Sequence, residues 1–173
     1  MAKTYQAIST GVVGSGGASS IDFTDVPQTY TDLVVKFSLR DSRESAGPGY
    51  LHLKFNDVTS GYSSRHLNTS TDDGVISTQS RSDDYVTFAI NTNYSTASTF
   101  CNGELYVLNY TGTNYKSVSI DSVSESNTAY DSAVRQMSVF SWANSAAVTK
   151  ITIYGDSNFK QHSTATLYGI KNS

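Results

Sequence analysis

"DLVVKFSLR", residues 32–40, sets the fold class. Leu33, Val35, Phe37 and Leu39 fall on one side of an extended chain and Val34, Lys36, Ser38 and Arg40 on the other. That period-two alternation belongs to a strand with one covered face. Moving outward, the same pattern recurs in "TYQAISTGVV", "SIDFTDV", "YLHLKF", "YSSRHL", "DYVTFAI", "NGELYVLNY", "YKSVSID", "VRQMSVFSW" and "AVTKITIY". It closes in "STATLYGIKNS", where Ala165, Leu167 and Gly169 oppose Thr164, Thr166, Tyr168 and Ile170. Gly, Asn, Asp and Ser clusters separate these stretches, with turns expected at Asp57, Asp73-Gly74, Thr111-Gly112 and Gly155-Asp156. No stretch holds apolar residues at helical spacing for three turns, although "NTAYDSAVRQ" has room for one helical turn.

The expected architecture is therefore all-β: a jelly-roll-like sandwich of two antiparallel sheets with about ten strands, neighbouring segments pairing. Its core is expected to hold Leu33, Val35, Phe37, Leu51, Leu53, Phe55, Val86, Phe88, Ile151, Ile153 and Leu167. At 173 residues the chain fits a single domain, residues 1–173, able to bury roughly 70% of its unfolded surface. Residues 1–18 read as a strand followed by a glycine-rich hinge, "GVVGSGG". The loop "DSRESAGPG", residues 41–49, interrupts all periodicity.

Composition narrows the function. Ser and Thr supply 48 residues while only 16% are Asp, Glu, Lys or Arg, so polar faces carry hydroxyls rather than charges. A net charge of −3 provides no basic field for a run of phosphates, which argues against nucleic acid as a partner. Cys101 is the sole cysteine and reads as a buried thiol. With no apolar leader and no apolar run of eighteen, a soluble protein made in the cytoplasm, with no membrane partner, is expected.

Catalytic and metal signals are weak. His52, His66 and His162 lie far apart in sequence and form neither an H-x-H pair nor an H-E-x-x-H motif. Glu44, Glu104 and Glu125 could supply the two carboxylates of glycoside hydrolysis, yet each sits in or beside a loop where solvation explains it. "TSTDDGV" and "SRSDDY" pair aspartates without the spacing of a calcium loop. "GVVGSGG" has no following helix with which to bind phosphate. The expectation is no enzyme, no catalytic residue, no cofactor and no metal.

Twelve tyrosines and one tryptophan are many for so polar a chain. Tyr30, Tyr50, Tyr85, Tyr94, Tyr115 and Tyr130 fall near loops or strand ends, where edge packing and partner contact are both open.

Several stretches resemble a family of small virion proteins of tailed bacteriophages: "MAKTYQAIST", "VPQTYTDLVVKFSLR", "YLHLKFNDVTSGYSSRHL" and "STATLYGIKNS". The likeness runs through an F-x-x-I-P-Q-T-Y-T-D-L-V segment (Phe23 to Val34, with Val26 in place of Ile), an L-x-F-N segment with a Tyr-containing hairpin (Leu53 to Tyr62) and a closing T-L-Y-G-I-K (Thr166 to Lys171). The loop from Asp41 to Gly49 and the middle third depart from it. The resemblance implies jelly-roll sandwiches on capsids, necks or fibres, and it carries no catalytic motif. It leads to a virion structural protein, most specifically a capsid decoration or cement protein on the major capsid protein lattice, forming a homo-oligomer with a trimer favoured. Docking is expected through the N-terminal segment and one end of the sandwich, with Lys3, Tyr5, Arg43, Pro48 and Tyr50 as interface residues. The rival is a neck, tail or fibre component whose carbohydrate-binding module recognises host surface glycan through exposed tyrosines and Trp142.

Overall fold

The computed structural model describes residues 4–44, 49–70, 74–83, 86–124 and 134–171. They form twelve strands and no helix. In chain order these are β1 (Tyr5–Val12), β2 (Ala18–Phe23), β3 (Asp32–Leu39), β4 (Gly49–Phe55), β5 (Tyr62–Ser70), β6 (Gly74–Asp83) and β7 (Val86–Ile90), then β8 (Cys101–Val107), β9 (Lys116–Val123), β10 (Arg135–Trp142), β11 (Ile151–Phe159) and β12 (Thr164–Ile170). An eight-stranded sheet runs β1-β12-β3-β8-β9-β10-β5-β6, and a four-stranded sheet runs β2-β11-β4-β7.

The chain crosses between the layers at eight of its eleven connections, and two expectations change. Sequence neighbours pair only in β5·β6, β8·β9 and β9·β10; the remaining ladders join distant strands such as β1·β12, β3·β12 and β2·β11. Without the β8·β9 hairpin and the β1·β12 pair, what remains is β2-β11-β4-β7 against β3-β10-β5-β6, the double Greek key of a jelly roll. Gly155-Asp156 is not a turn: it lies inside β11, where the register shifts between Tyr154 and Phe159. The twelfth strand, β6, escapes a hydrophobicity reading because it pairs with β5 alone and forms one edge of the larger sheet. Edges of this kind are polar in native sheets. "NTAYDSAVRQ" falls mostly outside the described residues; its end, from Arg135, begins β10.

The expected core is present. Leu33, Val35, Phe37, Leu51, Leu53, Phe55, Phe88, Ile151, Ile153 and Leu167 are all buried, while the Val86 side chain lies outside the described ones. Phe37 meets Phe88 across the layers at 5.7 Å between ring centres. Phe55 meets Phe140 at 6.1 Å and Trp142 at 5.5 Å. Each such side chain contributes roughly 1.5–3 kcal/mol by leaving water.

The quoted segments interlock. Gly169 of β12 carries no side chain because the Tyr30 ring lies where a Cβ would project. The Lys171 ammonium stands 6.0 Å from the centre of that ring, and Thr31 N–H donates to the Ile170 carbonyl at 2.8 Å. Tyr110 donates to the Pro27 carbonyl. Asn56, at the β4 turn with φ 51°, accepts from Thr149 and Lys150 N–H at 2.9 and 3.0 Å and donates to the Ala147 carbonyl at 2.8 Å. A single amide thus ties the end of β4 to the entry of β11. Between β1 and β2 the glycine-rich stretch turns on a Gly17 N–H to Gly14 carbonyl bond of 3.1 Å, and Val13 bonds Ser163 and His162 on the neighbouring turn.

Candidate interface

Beyond the end of β3 the chain becomes polar but stays buried. The Arg40 guanidinium donates to the carbonyls of Thr96 (2.6 Å), Thr99 (2.9 Å), Ser95 (3.0 Å) and Asn93 (3.4 Å), gathering the β7–β8 connection beneath it. Next to it, Asp41 accepts from Arg43 N–H at 3.0 Å through Oδ1. Its Oδ2 is buried without a hydrogen-bond partner and lies where a side chain on Gly49 would project. Burial pushes the Asp41 carboxyl up to about 6, opposed by the Arg43 N–H and charge and reinforced by Asp156. Asp156 is also held by His52 Nε2 at 2.6 Å.

Two of the anticipated interface residues meet over this base. The Arg43 guanidinium stands 6.0 Å from the centre of the exposed Tyr50 ring. Lys160 donates to Asn93 at 2.6 Å and Asn93 to Glu44 at 3.3 Å, extending the polar rim. Lys3 and Pro48 lie outside the described residues.

Tyr5 is elsewhere. It pairs with Ile170, which pairs with Asp32 at the start of β3, so a whole strand of about 25 Å separates it from the Arg43 end. There Tyr5 packs edge-on against Tyr168 at 6.5 Å, on the outer face of the eight-stranded sheet. Tyr168 and Tyr106 flank Val34 in register, and Val34 is fully buried although it points away from the core. Tyr106 donates to Asp32 at 2.8 Å; desolvation, then the bond to that carboxylate, push its hydroxyl up to about 12. The anticipated interface residues therefore mark two separate surfaces.

A feature not anticipated continues along that outer face. Met137, Val139 and Leu67 are 63%, 56% and 50% exposed and adjoin in register. They line an open groove of about 500 Å³ together with Arg65, Tyr106 and Asp121. "VRQMSVFSW" did hold the signal, since apolar residues occupy both of its alternation sets, but only the layering tells which set faces out.

The chemical candidates are dispersed. His52 is on the four-stranded sheet, His66 on β5 and His162 in the β11–β12 connection at φ 73°. Among the described residues no group of three His, Cys, Asp or Glu side chains is placed to hold a metal ion. Glu104 pairs with Lys36 at 2.9 Å, Glu125 lies outside the described residues, and so do Tyr85 and Tyr130. Asp73 and Asp84 of the aspartate pairs lie outside as well. Cys101 is buried, and desolvation pushes its thiol up to about 12. Trp142 is fully buried and stacked on Tyr62, with 6.2 Å between ring centres and 15° between planes, so it cannot serve as the sugar platform. Tyr94 and Tyr115 are exposed; Tyr30 packs on the core. No protein-family model matches the chain, and no curated protein matches it.

Proposed function

We propose that the chain is a structural protein of a tailed-bacteriophage virion, without enzymatic activity, which decorates the assembled capsid by binding the major capsid protein lattice. The observation that supports it most is where the quoted segments lie. The residues that carry the resemblance, among them Tyr30, Asn56, Gly169 and Lys171, are those whose contacts lock distant strands together. That placement supports reading the likeness as one of fold. In this reading the Arg43–Tyr50 end is the lattice-facing surface: a half-buried cation beside an exposed aromatic ring, held on a buried base, the residue types that dominate binding at interfaces.

The test is direct. Mass spectrometry and cryo-electron microscopy of purified phage particles are expected to find the protein in lattice-proportional copies, and Arg43→Ala with Tyr50→Ala to weaken rebinding to stripped capsids at least tenfold. Absence from particles, or presence only at fibre tips with glycan binding, overturns the reading.

A further inference from the structure

The outer face of the eight-stranded sheet holds charges that the fold leaves unused. Arg65 on β5 and Asp121 on β9 are exposed, and neither has an ion-pair partner among the described residues. They flank β10, whose outward Met137 and Val139 form the apolar centre of the groove. Arg65 is level with Val139, and Asp121 with Met137. Asp121 also stands directly opposite Glu104, a like-charged cross-strand neighbour, and only Glu104 has a cation, Lys36. Carboxylates paired this way repel unless a further cation arrives.

We propose that this face binds a second copy of the chain about a two-fold axis, with Arg65 of each copy meeting Asp121 of the other across a shared Met137, Val139 and Leu67 centre. The spacing of the sheet dictates the geometry. Two strands across and two residues along separate Arg65 from Asp121 by about 12 Å, and the midpoint of that diagonal lies on β10 between Met137 and Val139. A two-fold axis in the contact plane, through that midpoint and perpendicular to the diagonal, superposes each Arg65 on the partner copy's Asp121. It places the strands of the two sheets close to the orthogonal class of sheet packing. Both ion pairs and the burial of all three apolar side chains come from one operation, as an isologous interface requires. Centred on β10, the two faces overlap over roughly 25 by 25 Å, a contact at the smaller end of specific interfaces. The surface is separate from the Arg43–Tyr50 end, so this inference does not depend on the virion reading.

Charge reversal with rescue tests it on the purified full chain by sedimentation equilibrium and light scattering. The wild-type protein is expected to be a dimer at micromolar concentration, weakening as salt is raised. Arg65→Asp and Asp121→Arg are each expected to weaken the dimer about tenfold or more, because every lost attraction occurs twice and becomes a repulsion. The double variant restores opposite charges and is expected to return to within a few-fold of wild type. Met137→Glu is expected to give a folded monomer with an unchanged far-ultraviolet circular dichroism spectrum and a melt that no longer depends on protein concentration. A wild-type monomer, a trimer insensitive to these substitutions, or a double variant no tighter than the singles overturns the proposal.

Discussion

Along β10 the inward face changes character within a few residues. Phe140 and Trp142 point into an aromatic cluster with Phe55 and Tyr62, whereas Ser138 and Gln136, equally buried, join a polar network. In that network the Gln136 carbonyl oxygen accepts from Ala89 N–H of β7 at 3.0 Å, its amide nitrogen reaches Ser138 at 2.9 Å, and His66 sits between Ser64 and Ser138 at 2.8 Å from each. What lies opposite explains the difference. β7 is the edge of the smaller sheet, pairing with β4 alone, and turns unpaired backbone groups toward β10. An apolar side chain at 136 would strand the buried Ala89 N–H, so the Gln136 amide supplies the acceptor that the sheet does not, and the serine hydroxyls and His66 satisfy the rest of the network. The wider sheet has eight strands to cover and the narrower only four, and composition follows the cover.

The sharpest way to break this comparison is Phe55→Ala, which hollows the aromatic end and is expected to lower stability by about 3–5 kcal/mol in urea unfolding. A loss below about 1 kcal/mol would show that the cluster is loosely packed.

Asp41 is the next largest expectation and the counter-case to Gln136, a buried polar atom without a partner. Its carboxyl is raised to about 6 in the fold from an ordinary 3.8, so the folded state binds the proton more tightly. Its contribution to stability is therefore full below about pH 4 and lost as pH rises through about 6, on the order of 3 kcal/mol in all. Thermal melts from pH 4 to 8 are expected to show that decline, and Asp41→Asn to remove it. An equal decline in the variant would assign the effect to other groups.

Gln136→Leu keeps the volume but leaves Ala89 N–H without its acceptor, for an expected loss of about 1–2 kcal/mol and faster exchange of that amide by NMR. A stabilised variant would mean that the polar end tolerates an ordinary core. The smallest effect belongs to the outer face: Lys36→Ala removes an exposed pair with Glu104 and is expected to change stability by less than about 0.5 kcal/mol, further reduced at high salt.

Much of the molecule was legible in the chain. Alternation in "DLVVKFSLR", "YLHLKF" and "STATLYGIKNS" fixes which side chains face inward, because a pleated strand offers only two sides and water rejects one set. That local rule accounts for the sandwich class and for the core from Leu33 to Leu167. It says nothing about which strands meet, since pairing depends on contacts between residues far apart in sequence. The sequence reading therefore joined neighbours where the fold joins β12 to both β1 and β3. It could not show that Tyr5 and Arg43 end up a strand length apart, or that Val34 is sealed under Tyr106 and Tyr168. Nor could it separate the two apolar sets of β10, one in the core and one in the open. Those outcomes were decided by the layering: once one face of a strand is committed to the opposite sheet, whatever remains on the other, tyrosine, methionine or unpaired charge, becomes surface.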